Sequence, residues 1–193
     1  MAALRHGIAH RPKRGEQVSG DAYVIAEADG AVTIGLVDGL GSGEAAAEAS
    51  RRAVRCITLN STADLRELVT RCHEELRGTR GAVMALLRIN PKAETVSFVG
   101  VGNIGIYAWS AEPIRPVSRG GIVGHYRLPA LREFTYHYTP GDLFVLYSDG
   151  VADGLIADKD LPALGRIDPQ AMADIIAQRY GVEHDDVTVI TVC

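Results

Sequence analysis

The chain has 193 residues, of which 47% are hydrophobic, and a formal net charge of −4. This length and apolar content suit one domain with a substantial core, so we expect residues 1–193 to form a single domain without a separate regulatory domain. The acidic balance disfavours nucleic-acid binding, three cysteines without a CxxC pair disfavour a disulfide framework, and no apolar run is long enough for a signal peptide or membrane span, so we expect a cytoplasmic protein.

The residues before the first predicted strand include a short basic cluster, which we interpret as a solvated terminal segment. Its members are Arg5, Arg11, Lys13 and Arg14. A β-hairpin follows, because residues 21–28 and 32–38 are β-type runs separated by Asp29-Gly30, a strong hairpin signal.

Two helices are predicted next. Residues 43–57 are rich in alanine, with apolar residues at helical spacing. A second helix begins at Asp64, whose side chain is placed to cap the amides of the first turn. The apolar residues that fall on one face of this second helix are Leu65, Leu68, Val69, Cys72 and Leu76.

The second half of the chain predicts mainly strands. The runs that indicate strands are residues 81–90, 94–101, 104–109, 132–139, 143–148 and 186–192. A Gly- and Pro-rich stretch at 111–130 could cover an active site or bind substrate, and a helix is predicted over 169–180. Short turns between strands favour antiparallel pairing, so we expect an α+β fold of two antiparallel sheets with helices packed outside.

Acidic residues stand at the ends of several predicted strands. Asp21 begins the first strand, and Asp38 and Asp149 each follow an apolar run and precede a glycine. Asp185 and Asp186 precede the last strand. One Asp-Gly pair at a strand end is usually a plain turn, but the recurrence predicts a cup of carboxylates whose repulsion requires cations.

The ligand chemistry of such a cup selects the ion. Carboxylate oxygens favour hard cations such as Mg²⁺, Mn²⁺ or Ca²⁺ over Zn²⁺. Gly39 lets the backbone turn sharply, so that its carbonyl could also face an ion. A dinucleotide-binding loop is disfavoured, because the third glycine of G-x-G-x-x-G would fall at Glu44 and no parallel βαβ unit follows.

Five segments, in this order and spacing, resemble the motifs of the PPM metal-dependent protein phosphatases, and most closely the bacterial SpoIIE-like branch. They are SGDAY (19–23), VDGLGSGEAA (37–46), GVGNIGIY (100–107), GDLFVLYSDGVADG (141–154) and HDDVTVITV (184–192). The resemblance covers nearly the whole chain. It implies a four-layer α-β-β-α sandwich and hydrolysis of phosphoserine and phosphothreonine by metal-activated water, with two Mn²⁺ or Mg²⁺ ions and no phosphoenzyme.

The resemblance also implies roles for particular residues. Asp38 matches the aspartate that bridges two ions, and Gly39 matches the glycine whose carbonyl binds one of them. Asp149 and Asp185 match ligands of a shared ion, while Asp21 matches an acidic residue that holds a metal-bound water. The positions that match supporting residues are Asn103, for which a turn role is an equal alternative, and Asp186.

Two departures from the family pattern leave roles open. Leu40 stands where many eukaryotic relatives have a histidine, so the acid that protonates the leaving group is unassigned. The chemical candidates are a metal-bound water, His125, His137 and His184. Eukaryotic relatives also grip phosphate with an arginine upstream of the first acidic motif, a role that Arg11 or Arg14 would take here.

The single-domain layout resembles the stand-alone feedback phosphatases of the stressosome. That resemblance implies phosphorylated STAS-domain proteins as partners and substrates, in a pathway that the enzyme resets after stress, and we expect a monomer. The alternatives are a sibling phosphatase acting on a phosphorylated anti-sigma-factor antagonist, a catalytically dead PPM-fold binding module, and a Ca²⁺-binding structural domain. Retention of the aspartates argues against the dead module.

Overall fold

The structure, a computed structural model, describes residues 4–152, 154–157 and 167–193. Its strands are β1 His6–Arg11, β2 Asp21–Ala28, β3 Ala31–Gly39, β4 Ala82–Asn90, β5 Thr95–Val101, β6 Gly105–Trp109, β7 Phe134–His137, β8 Leu143–Tyr147 and β9 Val187–Val192. Its helices are α1 Glu44–Leu59, α2 Leu65–Glu75, α3 Gly154–Ala157 and α4 Pro169–Tyr180.

The strands form two sheets, and every ladder between named strands is antiparallel. One sheet has the order β1-β9-β8-β6, and the other has the order β2-β3-β4-β5-β7. Asp29-Gly30 joins β2 and β3 as the hairpin signal predicts. The predicted antiparallel pairing is therefore confirmed.

Three apolar layers hold the elements together. Between the sheets lies a core that includes Phe98 and Phe144, both almost fully buried. Helices α1 and α2 cover the outer face of the five-stranded sheet, and α4 covers the outer face of the other with Met172 and Ile176. Burying one such side chain stabilises the fold by roughly 1.5–3 kcal/mol. Packing of the helices against the apolar outer faces of the sheets is therefore strongly favourable. The result is the four-layer α-β-β-α sandwich expected from the family resemblance.

The helical periodicity of the sequence correctly identifies the buried faces. The five apolar residues predicted to share one face of α2 are all buried against the sheet. The predicted cap is wrong: Asp64 occupies the N-cap position, but its side chain makes no capping hydrogen bond.

The chain path differs from the sequence interpretation at two places. Part of the terminal segment, including Arg11, forms β1, an edge strand that pairs with β9, while Arg5 and Arg14 are exposed as a solvated segment requires. The short turn at Gly102-Asn103 does not join paired strands, because β5 pairs with β7 while β6 crosses to the other sheet and pairs with β8. That crossing carries Asn103 to the place where the two sheets meet.

The strand ends that carry the predicted acidic residues lie at one end of the sandwich. The C-terminal end of β3, the C-terminal end of β8 and the N-terminal end of β9 lie together there, and α1 begins beside them. No helix among the described residues is both long and apolar enough to cross a membrane.

Candidate active site

The hairpin of β2 and β3 places two acidic residues face to face. Its register pairs Asp21 directly with Asp38, so the two carboxylates share one face of the sheet. Asp21 is buried, and its Oδ2 accepts a hydrogen bond of 2.7 Å from the hydroxyl of Thr188 on β9. Like charges directly opposite each other destabilise a sheet, so this pair indicates a site that needs a countercharge.

The other sheet supplies the next two carboxylates. Asp149 lies just after β8 and Asp185 lies just before β9, and antiparallel pairing of these strands makes their ends neighbours. The amide of Ser148 donates to the Thr188 carbonyl at 3.0 Å, which extends the ladder to the edge of the site. The side-chain amide of Asn103 donates to Oδ2 of Asp149 at 2.8 Å and holds that carboxylate in place.

Asp186 accepts hydrogen bonds from backbone amides of the segment before β2. Its Oδ1 accepts from the amide of Lys13 at 2.9 Å, and its Oδ2 accepts from the amide of Gly20 at 2.8 Å. These two bonds tie the segment before β2 to the start of β9. Asp186 therefore links the two sheets beside the site, and its supporting role in the reaction stays a prediction.

A cavity of about 390 Å³ lies between these strand ends. It is lined by Asp38, Leu40, Gly41, Val83, Asn103, Ile122, Asp149 and Asp185. Three of the four predicted catalytic aspartates thus surround one space, while Asp21 is buried opposite Asp38 on the neighbouring strand. The lining by Ile122 also shows that part of the 111–130 stretch flanks the cavity.

Burial and crowding perturb the two aspartates of the hairpin. Burial, followed by the charges of Asp21, Asp149, Asp185 and Asp186, raises the pKa of Asp38 to about 8. Burial also raises the pKa of Asp21 to about 6, against the opposing effect of hydrogen bonds from Thr188 and Ser148. The site holds more negative charge than its own residues neutralise, which is the electrostatic environment that a bound cation would relieve.

The donor set fits hydrated Mg²⁺ or Mn²⁺. Within the described ranges, no three acidic, histidine or cysteine side chains are grouped tightly enough to hold an ion by themselves. Mg²⁺ typically keeps several waters and takes only one or two carboxylates, so carboxylates spread around a cavity suit it better than a closed cage. Soft ligands are absent from the cavity lining that the structure describes, which disfavours Zn²⁺.

Gly39 is required by the packing of α1 against the end of β3. A Cβ added at Gly39 would lie 2.0 Å from the carbonyl oxygen of Ala46, so no side chain fits. Close approach of the helix lets the chain turn directly from Asp38 into α1. Gly39 does not itself line the cavity, and its predicted role as a carbonyl ligand stays a prediction.

The predicted phosphate-binding arginines are engaged elsewhere. The guanidinium of Arg11 donates to the carbonyl of Val182 at 2.9 Å. That of Arg14 pairs with Glu183 at 3.0 Å. Neither residue lines the cavity, and the same holds for the three candidate histidines, His125, His137 and His184.

The sequence reasoning missed the residues that support Asp21. Thr188 donates to Asp21 while its hydroxyl contacts Nδ1 of His10 at 2.9 Å. Ser148 is fully buried and its Oγ accepts from the amide of Thr188 at 3.0 Å. The available signal was a serine directly after the apolar β8 and a threonine within the largely apolar β9, since buried hydroxyl groups are kept only where they have partners.

Comparison with known proteins gives a consistent result. A family model described as Stage II sporulation protein E (SpoIIE) matches residues 28–193. Phosphoserine phosphatase RsbX of Bacillus subtilis (strain 168) is 26% identical over 141 residues, which cover 72% of this chain and 70% of RsbX. Stage II sporulation protein E of Priestia megaterium is 24% identical over 212 residues, or 95% of this chain but only 35% of that protein.

Solved structures share the fold. A chain from a structure described as "The bacterial stressosome: a modular system that has been adapted to control secondary messenger signaling" has a TM-score of 0.94 and 34% identity, with all of both chains covered. RsbX in complex with magnesium has a TM-score of 0.84 and 23% identity, covering 98% of this chain and 94% of RsbX. The second likeness supports the fold only.

Proposed function

The chain belongs to the SpoIIE family of PPM-type protein phosphatases, and we propose that it removes phosphate from phosphoserine and phosphothreonine on STAS-domain proteins of a bacterial stressosome, resetting a stress-signalling pathway. One observation carries the chemistry: strand ends from both sheets bring Asp38, Asp149 and Asp185 around a single cavity. Crowded carboxylates of this kind are suited to hold the divalent ions used in phosphate-ester hydrolysis.

In this proposal Asp38, Asp149, Asp185 and the carbonyl of Gly39 hold two Mn²⁺ or Mg²⁺ ions. Bound there, the ions would supply a water activated as a nucleophile near neutral pH and positive charge for the phosphoryl oxygens. Asn103 would keep the carboxylate of Asp149 directed towards its ion through their 2.8 Å hydrogen bond.

Asp21 has a second task in the proposal. It lies opposite Asp38 on the neighbouring strand, and the hydroxyl of Thr188 donates a hydrogen bond to its carboxylate. From that position it would accept a hydrogen bond from a water at the ion beside Asp38 and orient it. Thr188 is therefore a positioning residue, acting through Asp21.

The nucleophilic side chains of the cavity lining are its three aspartates, which this proposal assigns to the ions, so the proposed reaction uses no phosphoenzyme. Among the lining residues that the structure describes there is no serine, threonine, cysteine, histidine, lysine or tyrosine. The side chains would bind and orient, while Leu40, Val83 and Ile122 form an apolar wall. We assign the proton that the departing serine or threonine oxygen needs to solvent water.

Two likenesses support the stressosome substrate. RsbX is a phosphoserine phosphatase that this chain resembles over 70% of its length. The structure described as the bacterial stressosome contains a chain that is 34% identical over its full length. The second candidate is a phosphorylated anti-sigma-factor antagonist, the substrate class that the family resemblance also implies. The chain matches two stage II sporulation proteins E as well, and it spans only 35% and 25% of their lengths.

The test compares both substrate classes under one set of conditions. A phosphorylated STAS-domain stressosome protein and a phosphorylated anti-sigma-factor antagonist are each incubated with the protein, with Mn²⁺ or with a chelator. We expect Mn²⁺-dependent phosphate release, faster from the stressosome protein. Faster release from the antagonist would support the second candidate, and no release from either would refute the proposed activity.

A matched pair of variants separates the site from general effects of lost charge. Asp149→Asn removes a proposed ligand and should abolish release. Asp174→Asn removes an exposed carboxylate on α4, distant from the cavity, and should leave release unchanged. Full activity of Asp149→Asn would contradict the assignment of that residue.

A further inference from the structure

An arginine that no motif predicted, Arg80, lies beside Gly41, one of the residues that line the cavity. Beyond the last ladder pair of β3 and β4, Gly39 with Ala82, the amide of Leu40 donates to the carbonyl of Gly81 at 3.0 Å. This bond continues the antiparallel register by one residue. The next position outward therefore sets Arg80 beside Gly41, so the sheet backbone determines where the arginine lies.

The guanidinium of Arg80 lies against the backbone of Gly41. A Cβ added at Gly41 would be 2.6 Å from Nη1 of Arg80, and Gly41 has a φ of +93°, which favours glycine. Gly41 lines the cavity. The missing side chain thus leaves room for a cationic group to lie at the cavity rim.

The backbone around Arg80 is anchored by hydrogen bonds, whereas its guanidinium group has no partner among the described residues. Thr79 donates through its hydroxyl to the carbonyl of Leu76 at 2.7 Å and accepts from the amide of Gly81 at 3.0 Å, which anchors the loop on both sides of Arg80. Within the described part of the chain, the guanidinium has no carboxylate within ion-pairing distance and no hydrogen-bond partner. Its neighbour Arg77, by contrast, pairs with Glu74 at 3.4 Å.

We propose that Arg80 binds the phosphoryl oxygens of the substrate, an inference that rests on the proposed phosphatase function. A phosphate ester entering the cavity brings two negative charges towards carboxylates that already repel it. A guanidinium offers paired N–H donors that match phosphate oxygens, and Arg80 presents them where the ester enters. Arg11 and Arg14 are less suited, because their guanidinium groups already have partners away from the cavity.

The experiment measures phosphate recognition separately from metal binding. Hydrolysis of p-nitrophenyl phosphate is followed with Mn²⁺, using inorganic phosphate as a competitive inhibitor. In Arg80→Ala we expect the KM and the inhibition constant of phosphate each to rise about tenfold, the size expected for a lost charge-assisted hydrogen bond. The Mn²⁺ concentration for half-maximal activity should stay the same, since Arg80 contacts no proposed ligand.

Two further variants test whether the effect of Arg80→Ala comes from the loss of its paired N–H donors. Arg80→Lys keeps the charge and loses the paired donors, so its inhibition constant should fall between those of the wild type and Arg80→Ala. Arg77→Ala removes an exposed arginine from the same loop and should behave as wild type. Thermal unfolding of Arg80→Ala should match the wild type, because the guanidinium has no partner in the described residues.

The possible results distinguish the phosphate-binding role of Arg80 from the proposed phosphatase activity. An active wild type and an inhibition constant within about twofold of it in Arg80→Ala would overturn the role of Arg80 alone. A shift of the Mn²⁺ requirement with unchanged phosphate inhibition would overturn it as well. A wild type without Mn²⁺-dependent hydrolysis would overturn the proposed function, and the role of Arg80 with it.

Discussion

Replacing Asp38 by asparagine should stabilise the metal-free protein while abolishing its activity. Burial raises the pKa of Asp38 from 3.8 to about 8, with smaller contributions from Asp21 across the hairpin and from three further carboxylates. Asparagine has nearly the same shape and carries no charge. The substitution therefore removes the cost of burying a carboxylate beside like charges and keeps the packing.

The stability gained in Asp38→Asn can be calculated from the raised pKa of Asp38. One pKa unit corresponds to about 1.4 kcal/mol, and roughly three units of the shift lie below pH 7, which gives about 4 kcal/mol as an upper value. Asp38 is partly exposed and solvent screens its charge, so we expect roughly half, about 2 kcal/mol, to be recovered in Asp38→Asn. For a chain of this length, that gain raises the unfolding temperature by about 4–8 °C.

The sign of the pH dependence follows from linkage. A carboxyl group whose pKa is higher in the folded state keeps a proton that the unfolded chain releases, so its effect on stability becomes more unfavourable as pH rises from about 4 to about 8. The wild type in chelator should lose stability across this window. Asp38→Asn should lose much less, with the remaining slope, between about pH 4 and 6, due to Asp21.

The assay is thermal unfolding in chelator and in excess Mn²⁺, with Asp174→Asn as the control for a lost surface carboxylate. Mn²⁺ should raise the unfolding temperature of the wild type, because an ion that binds only the folded state stabilises it. It should have far less effect on Asp38→Asn. A variant no more stable than the wild type in chelator at neutral pH would show that burial and neighbouring carboxylates do not raise the pKa of Asp38 as described.

Two other substitutions test the surroundings of the site. Gly39→Ala should destabilise the fold by about 3 kcal/mol in denaturant unfolding, since its Cβ would lie 2.0 Å from the Ala46 carbonyl oxygen. The control Gly120→Ala, whose Cβ would have nothing within 4 Å, should change stability by less than about 0.5 kcal/mol. Equal stability of the two variants would contradict the tight packing of α1 against β3. Asn103→Ala should raise the Mn²⁺ concentration for half-maximal activity about tenfold without lowering the unfolding temperature, because the carboxylate of Asp149 loses the hydrogen bond that holds it in place. An unchanged Mn²⁺ requirement would show that this hydrogen bond has no role in ion binding.

Local patterns in the sequence were sufficient for most elements of the fold. Apolar runs bounded by turn residues locate β2, β3 and β8 closely, and helical spacing identifies the buried face of α2. The acidic ends of these strands follow from the same patterns. These features could be predicted because each depends on residues close together in the chain.

Features that depend on distant partners could not be predicted. The short β1 has few β-branched residues and is stabilised by β9, which lies at the opposite end of the chain. Nothing in the turn at Gly102-Asn103 indicates that β6 joins the other sheet. The position of Arg80 follows from the register of β3 and β4 beyond their last paired residues, which only the folded sheet reveals.

The proposed activity requires that the carboxylates of the two sheets bind divalent ions together. Crystals grown with Mn²⁺ and measured at the manganese absorption edge would locate the ions directly by anomalous scattering. We predict anomalous peaks inside the cavity, bonded to Asp38 and to at least one of Asp149 and Asp185. An empty cavity at saturating Mn²⁺, or peaks bound only at other surfaces, would contradict the account.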